Sequence, residues 1–173
     1  FDIPGLVKLM GGKQKFVDRL QATFDKGYFD VTNEPDMLYP HVFSEIKGEE
    51  WRTQKLVKEI LEKHFTNSPG GIPGNDDTGT MSTWALMNMI GIYPFCPGRP
   101  DYTVVTPVFD KVTIQLDKKF YPHADKVTIR RQKLGSGEYI KKIVIDGKPF
   151  NGFKISHQTL VNSKDILIVT GNR

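Results

Sequence analysis

The feature that most limits what this chain can become is a change of period near its middle. Up to about residue 93 the apolar side chains recur every three or four positions, as on helices. After Tyr93-Pro-Phe-Cys-Pro-Gly-Arg-Pro100 they alternate, as on strands. Charge divides the chain at the same place: residues 1–95 carry 10 Lys plus Arg against 13 Asp plus Glu, net −3, and residues 96–173 carry 14 against 7, net +7. The expectation is an α+β chain in two parts, helical over 1–95 and an antiparallel β-sheet or sandwich over 96–173. At 173 residues it is long enough to bury a core in one ordinary domain or two small ones.

In the helical half, Asp2 and Pro4 start a helix whose apolar side is Ile3, Leu6, Val7 and Met10, and Gly11-Gly12 ends it. Phe16, Val17, Leu20 and Phe24 place a second helix over roughly 13–26. Asn33, Glu34 and Asp36 then crowd together around Pro35, which pushes Glu34 out of the helical region. Read without further information, that cluster is the start of a helix over about 37–47, with Asn33 or Asp36 as its cap. The most amphipathic helix, roughly 50–65, sets Leu56, Val57, Ile60, Leu61 and Phe65 against Lys55, Lys58, Glu59, Glu62 and Lys63. Trp51 at its start reads as core or staple, with a sugar platform the other option.

The stretch richest in chemistry is Gly70-Gly-Ile-Pro-Gly-Asn-Asp-Asp-Thr-Gly79, whose four glycines and proline prevent regular structure. It runs into a helix that is apolar nearly all round, through Met81, Trp84, Leu86, Met87, Met89, Ile90 and Ile92, and is therefore expected inside. Asn75, Asp76, Asp77 or Thr78 can cap that helix. One cap needs only one carboxylate, however, and the adjacent Asp76 and Asp77 repel each other. A rigid acid-bearing loop at the mouth of a core is how a site for a polar ligand is built. On the residues alone, cap and site both stand.

In the second half, Tyr102-Thr-Val-Val-Thr, Lys111-Val-Thr-Ile-Gln-Leu, Lys126-Val-Thr-Ile-Arg, Tyr139-Ile-Lys-Lys-Ile-Val-Ile and Ile166-Leu-Ile-Val alternate as half-buried strands, and Asp146-Gly147 signals a two-residue hairpin. Its Lys and Arg are spread singly with no aromatic stacking motif, so no nucleic-acid partner is expected. No run of about 18 apolar residues exists to span a membrane. The single Cys96 excludes an internal disulfide and a cysteine zinc site. His41, His64, His123 and His157 lack partners in ligand spacing and read as structural. The opening Phe1-Asp-Ile-Pro-Gly has neither an initiator Met nor a leader, as expected of a piece of a longer chain whose signal peptide would lie outside it.

The string Ile72-Pro-Gly-Asn-Asp-Asp-Thr-Gly-Thr-Met-Ser-Thr-Trp84, followed by Gly91-Ile-Tyr-Pro-Phe-Cys-Pro-Gly98, resembles the C-terminal signature of the calcium-dependent exo-alpha-mannosidases of glycoside hydrolase family 92. Gly5-Leu-Val-Lys-Leu-Met-Gly-Gly12, Asn33-Glu-Pro-Asp-Met37, Trp51-Arg-Thr-Gln-Lys55 and Ile143-Val-Ile-Asp-Gly-Lys-Pro-Phe150 carry the likeness along the chain in order. The resemblance implies that residues 1–93 are the last helices of an (α/α)6 barrel and that a C-terminal β region follows. It implies inverting hydrolysis of terminal alpha-mannosides, with calcium on the sugar hydroxyls and a glutamic acid upstream of Phe1 as general acid. By the same motif match, Asp77 is the general base and Asp76 a neighbour that steers it, while Glu34 with Asn33 lies on the leaving-group side.

Asp36, Asn33 and Asp77 are the calcium candidates that the resemblance suggests. Many relatives read Asp-Glu-Asp where Asn75-Asp76-Asp77 stands, and those cutting alpha-1,2 linkages tend to have histidine where Asn33 stands, which implies a specificity other than simple alpha-1,2. The implied partners are mannose-containing glycans and the rest of a parent chain, including an N-terminal β-sandwich, in an extracytoplasmic setting. Without the general acid, this piece alone is expected to be inactive. The competing expectation is a non-catalytic carbohydrate-binding or structural module, which calls for exposed aromatics among Phe109, Phe120, Tyr121, Tyr139, Phe150 and Phe153.

Overall fold

The computed structural model describes residues 2–122 and 124–173; Phe1 and His123, the latter read above as structural, lie outside the described residues. The chain divides into two compact units, Phe1–Trp84 and Ala85–Arg173.

In the first unit, α1 (Ile3–Leu9) is capped by Asp2, whose carboxylate accepts a bond of 2.9 Å from the Gly5 N–H, and α2 (Lys13–Asp25) follows the glycine turn. The segment expected as one helix over 37–47 is three short pieces: a 3-10 turn at Glu34–Leu38, α3 (Tyr39–Val42) and a second 3-10 turn at Phe43–Glu45. Pro40, inside the expected span, has no amide hydrogen for the carbonyl four residues back, so a continuous helical ladder cannot run through it. The chain responds with short, tight turns. α4 (Glu50–His64) buries Leu56, Val57, Ile60 and Leu61, the face its period indicated. Phe16, Val17, Phe43, Ile46 and Leu56 form the core of these helices.

α5 (Thr80–Ile90) was expected to be interior on all sides. Met81 and Trp84 are buried as expected, but Leu86 is 55% exposed. Apolar composition says that a helix can be covered all round; it does not say that this chain supplies the cover.

The second unit holds two sheets. β1 (Ile92–Tyr93), β2 (Asp101–Val104) and β7 (Lys154–Ser156) pair antiparallel in the order β1-β2-β7. β3 (Lys111–Gln115), β4 (Lys126–Lys133), β5 (Tyr139–Ile145), β6 (Lys148–Phe150) and β8 (Asp165–Gly171) pair in the order β3-β4-β8-β5-β6. A short helix, α6 (His157–Asn162), leads from β7 towards β8. Pairing is antiparallel except between β4 and β8, which run parallel. The exception follows from order: β4 and β5 run in opposite directions, and a strand inserted between them that opposes β5 must run with β4. β8 is the central strand, and Ile166 and Ile168 are fully buried with Val127, Ile129 and Ile143 in the core of this unit.

Candidate functional site

The glycine-rich loop ends in an arch over the start of α5. Asp77, Thr78 and Gly79 all lie in the left-handed region, at φ 46, 61 and 90. Such a conformation costs about 1–3 kcal/mol for each residue with a β-carbon, most for a branched one such as Thr78, and persists only where its surroundings enforce it. Several bonds enforce it here. The Asp76 carboxylate accepts from the Ser82 N–H at 2.7 Å and from the Ser82 hydroxyl at 2.8 Å. The Asp77 carbonyl accepts from the Thr80 hydroxyl at 2.8 Å and the Thr80 N–H at 3.2 Å, and the Asp76 carbonyl from the Met81 N–H at 3.2 Å.

The two neighbouring acids therefore have different fates. Both oxygens of Asp76 are committed to the first turn of α5. The Asp77 carboxylate is exposed and takes part in no hydrogen bond or ion pair among the described residues. The capping role falls to Asp76, and the Asp77 side chain is left without one.

Glu34 sits at the start of the first 3-10 turn, exposed, and its carboxylate likewise has no partner among the described residues. Its neighbours differ. Asp36 is 8% exposed, and its two oxygens accept from the Asp30 N–H at 2.9 Å and the Asn33 side-chain amide at 3.1 Å. Asn33 and Asp36 thus fold their own loop, and Glu34 is the member of the cluster left to solvent.

Two contacts join this loop to the arch's loop and helix. A β-carbon on Gly74 would stand 2.7 Å from the Thr32 carbonyl oxygen, and Gly74 is itself at φ 67, so only glycine lets the two loops approach so closely. The Trp84 indole N–H donates to the Met37 carbonyl at 2.9 Å, across 47 residues of sequence. Trp84 is 1% exposed, stacked on Phe65 with ring centres 5.7 Å apart and edge-on to the His41 ring at 6.0 Å. His41 is completely buried, which drives its pKa down to about 3 and keeps it neutral. Sequence reading placed Trp84 in the interior but did not foresee its tie to Met37. Nor did it single out Ser82, whose N–H and hydroxyl both meet the Asp76 carboxylate.

Among the described residues no group of three or more His, Cys, Asp or Glu is placed to hold a metal ion. Calcium takes six to eight oxygens; of the three candidates Asp36 is engaged in its own loop, while the Asp77 carboxylate and the Asn33 side-chain oxygen have no hydrogen-bond partner among the described residues. Nor do the six aromatics named above form a row of exposed platforms among the described residues. The Arg52 guanidinium lies over the Trp51 ring at 4.6 Å, Phe150 and Phe153 pack against the core of the second unit, and of the six aromatics named above only Phe109 and Phe120 are largely exposed.

Comparison with known proteins then bears on which reading these loops serve. A "secreted glycosidase" of uncharacterised activity from Arthroderma benhamiae is 28% identical over 174 residues, which cover 98% of this chain and 22% of that protein. The chain spans about a fifth to a quarter of the length of the relatives it matches. A family GH92 alpha-mannosidase from Bacteroides thetaiotaomicron, solved with mannoimidazole, superposes with a TM-score of 0.79 at 22% identity, over 92% of this chain and 22% of that one. A family GH92 inverting mannosidase from the same organism gives 0.82 at 23%, over 99% of this chain and 26% of its own. These two likenesses concern the fold. The profile of the glycosyl hydrolase family 92 catalytic domain matches residues 1–172. With that match running along nearly the whole sequence, the chain belongs to glycosyl hydrolase family 92.

Proposed function

We propose that this chain is the C-terminal portion of an inverting, calcium-dependent exo-alpha-mannosidase that removes terminal alpha-mannosides from glycans, with Asp77 as general base. The observation that carries the proposal is the division of labour at the arch. Within a chain of this family, one carboxylate of an adjacent pair is committed to the helix, and the other is held on an enforced, unfavourable backbone with no structural task. An idle acid on a rigid mount is what a base needs, because it must meet the nucleophilic water in one geometry.

In the proposed reaction Asp77 takes a proton from water as the water adds to the anomeric carbon. A general acid from the remainder of the parent chain protonates the departing oxygen. Inversion leaves room for the water, so the two carboxyl groups stand roughly 6.5–9.5 Å apart. Asp76 therefore cannot be the partner acid; it braces Asp77. Glu34, free and presented by a loop that touches the loop of the arch, belongs on the leaving-group side with Asn33.

Calcium would polarise the sugar hydroxyls when bound. On this chain the free carboxylate of Asp77 and the side-chain oxygen of Asn33 are the candidates to hold it, and further oxygens would come from elsewhere in the parent. The helices of residues 1–93 would close an (α/α)6 barrel with helices of the parent that cover apolar side chains such as Leu9, 86% exposed, and Leu86. An extracytoplasmic location fits the secreted relative.

The test is turnover of an aryl alpha-mannoside and of mannobiose by the whole protein, with the first-formed anomer read by NMR and with and without a calcium chelator. Release of beta-mannose, lost on chelation and in Asp77→Asn, is the expected result. Release of alpha-mannose, or full activity in Asp77→Asn, would refute the assignment.

A further inference from the structure

We infer that Ser82 is a positioning residue for Asp77, acting through Asp76; the inference rests on Asp77 being the base. An ordinary N-cap side chain reaches two or three residues forward. Asp76 reaches six, to the N–H and the hydroxyl of the third residue of α5, at 2.7 and 2.8 Å. Capping alone does not require this span. A serine or aspartate at position 79, next to the helix, would satisfy the same amides without the three left-handed residues that lie between.

The span instead fixes both ends of a three-residue arch. One end is the Asp76–Ser82 pair, and the other is Thr80, which donates its hydroxyl and its N–H to the Asp77 carbonyl. With both ends held, Asp77 has little freedom of backbone rotation. Ser82 is exposed, so its hydroxyl contributes nothing to core packing. Its removal frees one oxygen of Asp76 and leaves the helix and its buried face in place. What it takes away is the second of two bonds that stop the Asp76 carboxylate from turning about its own axis, and with it the definition of the neighbouring residue.

The experiment compares wild type, Ser82→Ala, Ser82→Thr, Asp76→Ala and Asp77→Asn in the whole protein, measuring kcat, KM and thermal unfolding. A displaced reacting group loses rate at the chemical step, so Ser82→Ala should lower kcat by about 10²-fold while KM changes by less than about threefold. Ser82→Thr, which keeps the hydroxyl, should restore kcat. Asp76→Ala removes both bonds to Ser82 and should repeat the kcat loss even if Ser82→Ala proves unstable. Wild-type kcat in Ser82→Ala or Asp76→Ala, with only a lowered melting temperature, would reduce the pair to a helix cap and overturn the inference. Full turnover in Asp77→Asn would remove the base assignment itself and the inference with it. Loss of turnover in Asp77→Asn beside wild-type kcat in Ser82→Ala would overturn only the inference.

Discussion

The molecule holds two aspartates in the same left-handed conformation, Asp77 at φ 46 and Asp146 at φ 48, and the fold uses them in opposite ways. Asp146 opens the two-residue turn between β5 and β6, is followed by Gly147 at φ 79, and accepts from the Lys164 and Asp165 N–H groups at 2.9 Å each. Its backbone makes the hairpin and its side chain ties that hairpin to the chain entering β8. Asp77 is followed by the β-branched Thr78, where such a backbone is least favourable, and its carboxylate bonds to nothing among the described residues. Where strain and side chain both serve the sheet, the residue is structural. Where strain is present and the side chain is idle, the structure has left a group available for chemistry.

Asp77→Asn separates the two roles by the widest margin. Turnover by the whole protein should fall about 10²- to 10⁴-fold, the range for loss of a general base, while unfolding free energy shifts by less than about 0.5 kcal/mol. A stability loss as large as that at Asp146 would dissolve the contrast.

Acid probes the unit of the arch by another route. His41 is neutral in the fold, with its pKa depressed to about 3 from an ordinary 6.5. The unfolded chain therefore binds the extra proton first as pH falls. The stability associated with a neutral His41 is complete above about pH 6.5 and declines as pH drops towards 3, by up to about 4 kcal/mol. Urea unfolding from pH 7 to pH 4 checks this, and His41→Phe should flatten the slope.

Asp146→Ala should move in the opposite sense to Asp77→Asn. It leaves two amides without their acceptor and should lower stability by about 1–3 kcal/mol, read as a denaturant midpoint, with turnover of the whole protein unchanged. The smallest effect is expected at Thr78→Gly. Relief of the left-handed threonine outweighs the extra freedom of glycine when unfolded, and unfolding should become harder by about 0.5–1 kcal/mol. A destabilised Thr78→Gly would mean that the arch is not strained.

The sequence disclosed elements wherever one local signal was strong. α1 was marked by Asp2 and Pro4, α4 by its two-faced pattern, and the hairpin by Asp146-Gly147. It misjudged 37–47, where Pro40 interrupts the expected helix and the chain forms short turns and a four-residue helix instead. It did not disclose the placement of β8 between β4 and β5, because strand order is a property of distant segments that no window contains. β6, β7 and α6, at three, three and six residues, are too short to establish a period. At the arch, the residues announced two acids and one cap. Which acid is left over was decided by a bond spanning six positions, outside the reach of the usual capping rule.

The bond from Trp84 to the Met37 carbonyl has a mechanical consequence. It fastens the segment after Glu34 to the helix after Asp77 at a point out of contact with water. A sway of either segment is thus shared by its companion, and the interval between the two acids is narrowed by a strut that neither of them touches. The indole also serves as a built-in gauge, because loosening of that strut would let water reach it and change its ultraviolet emission.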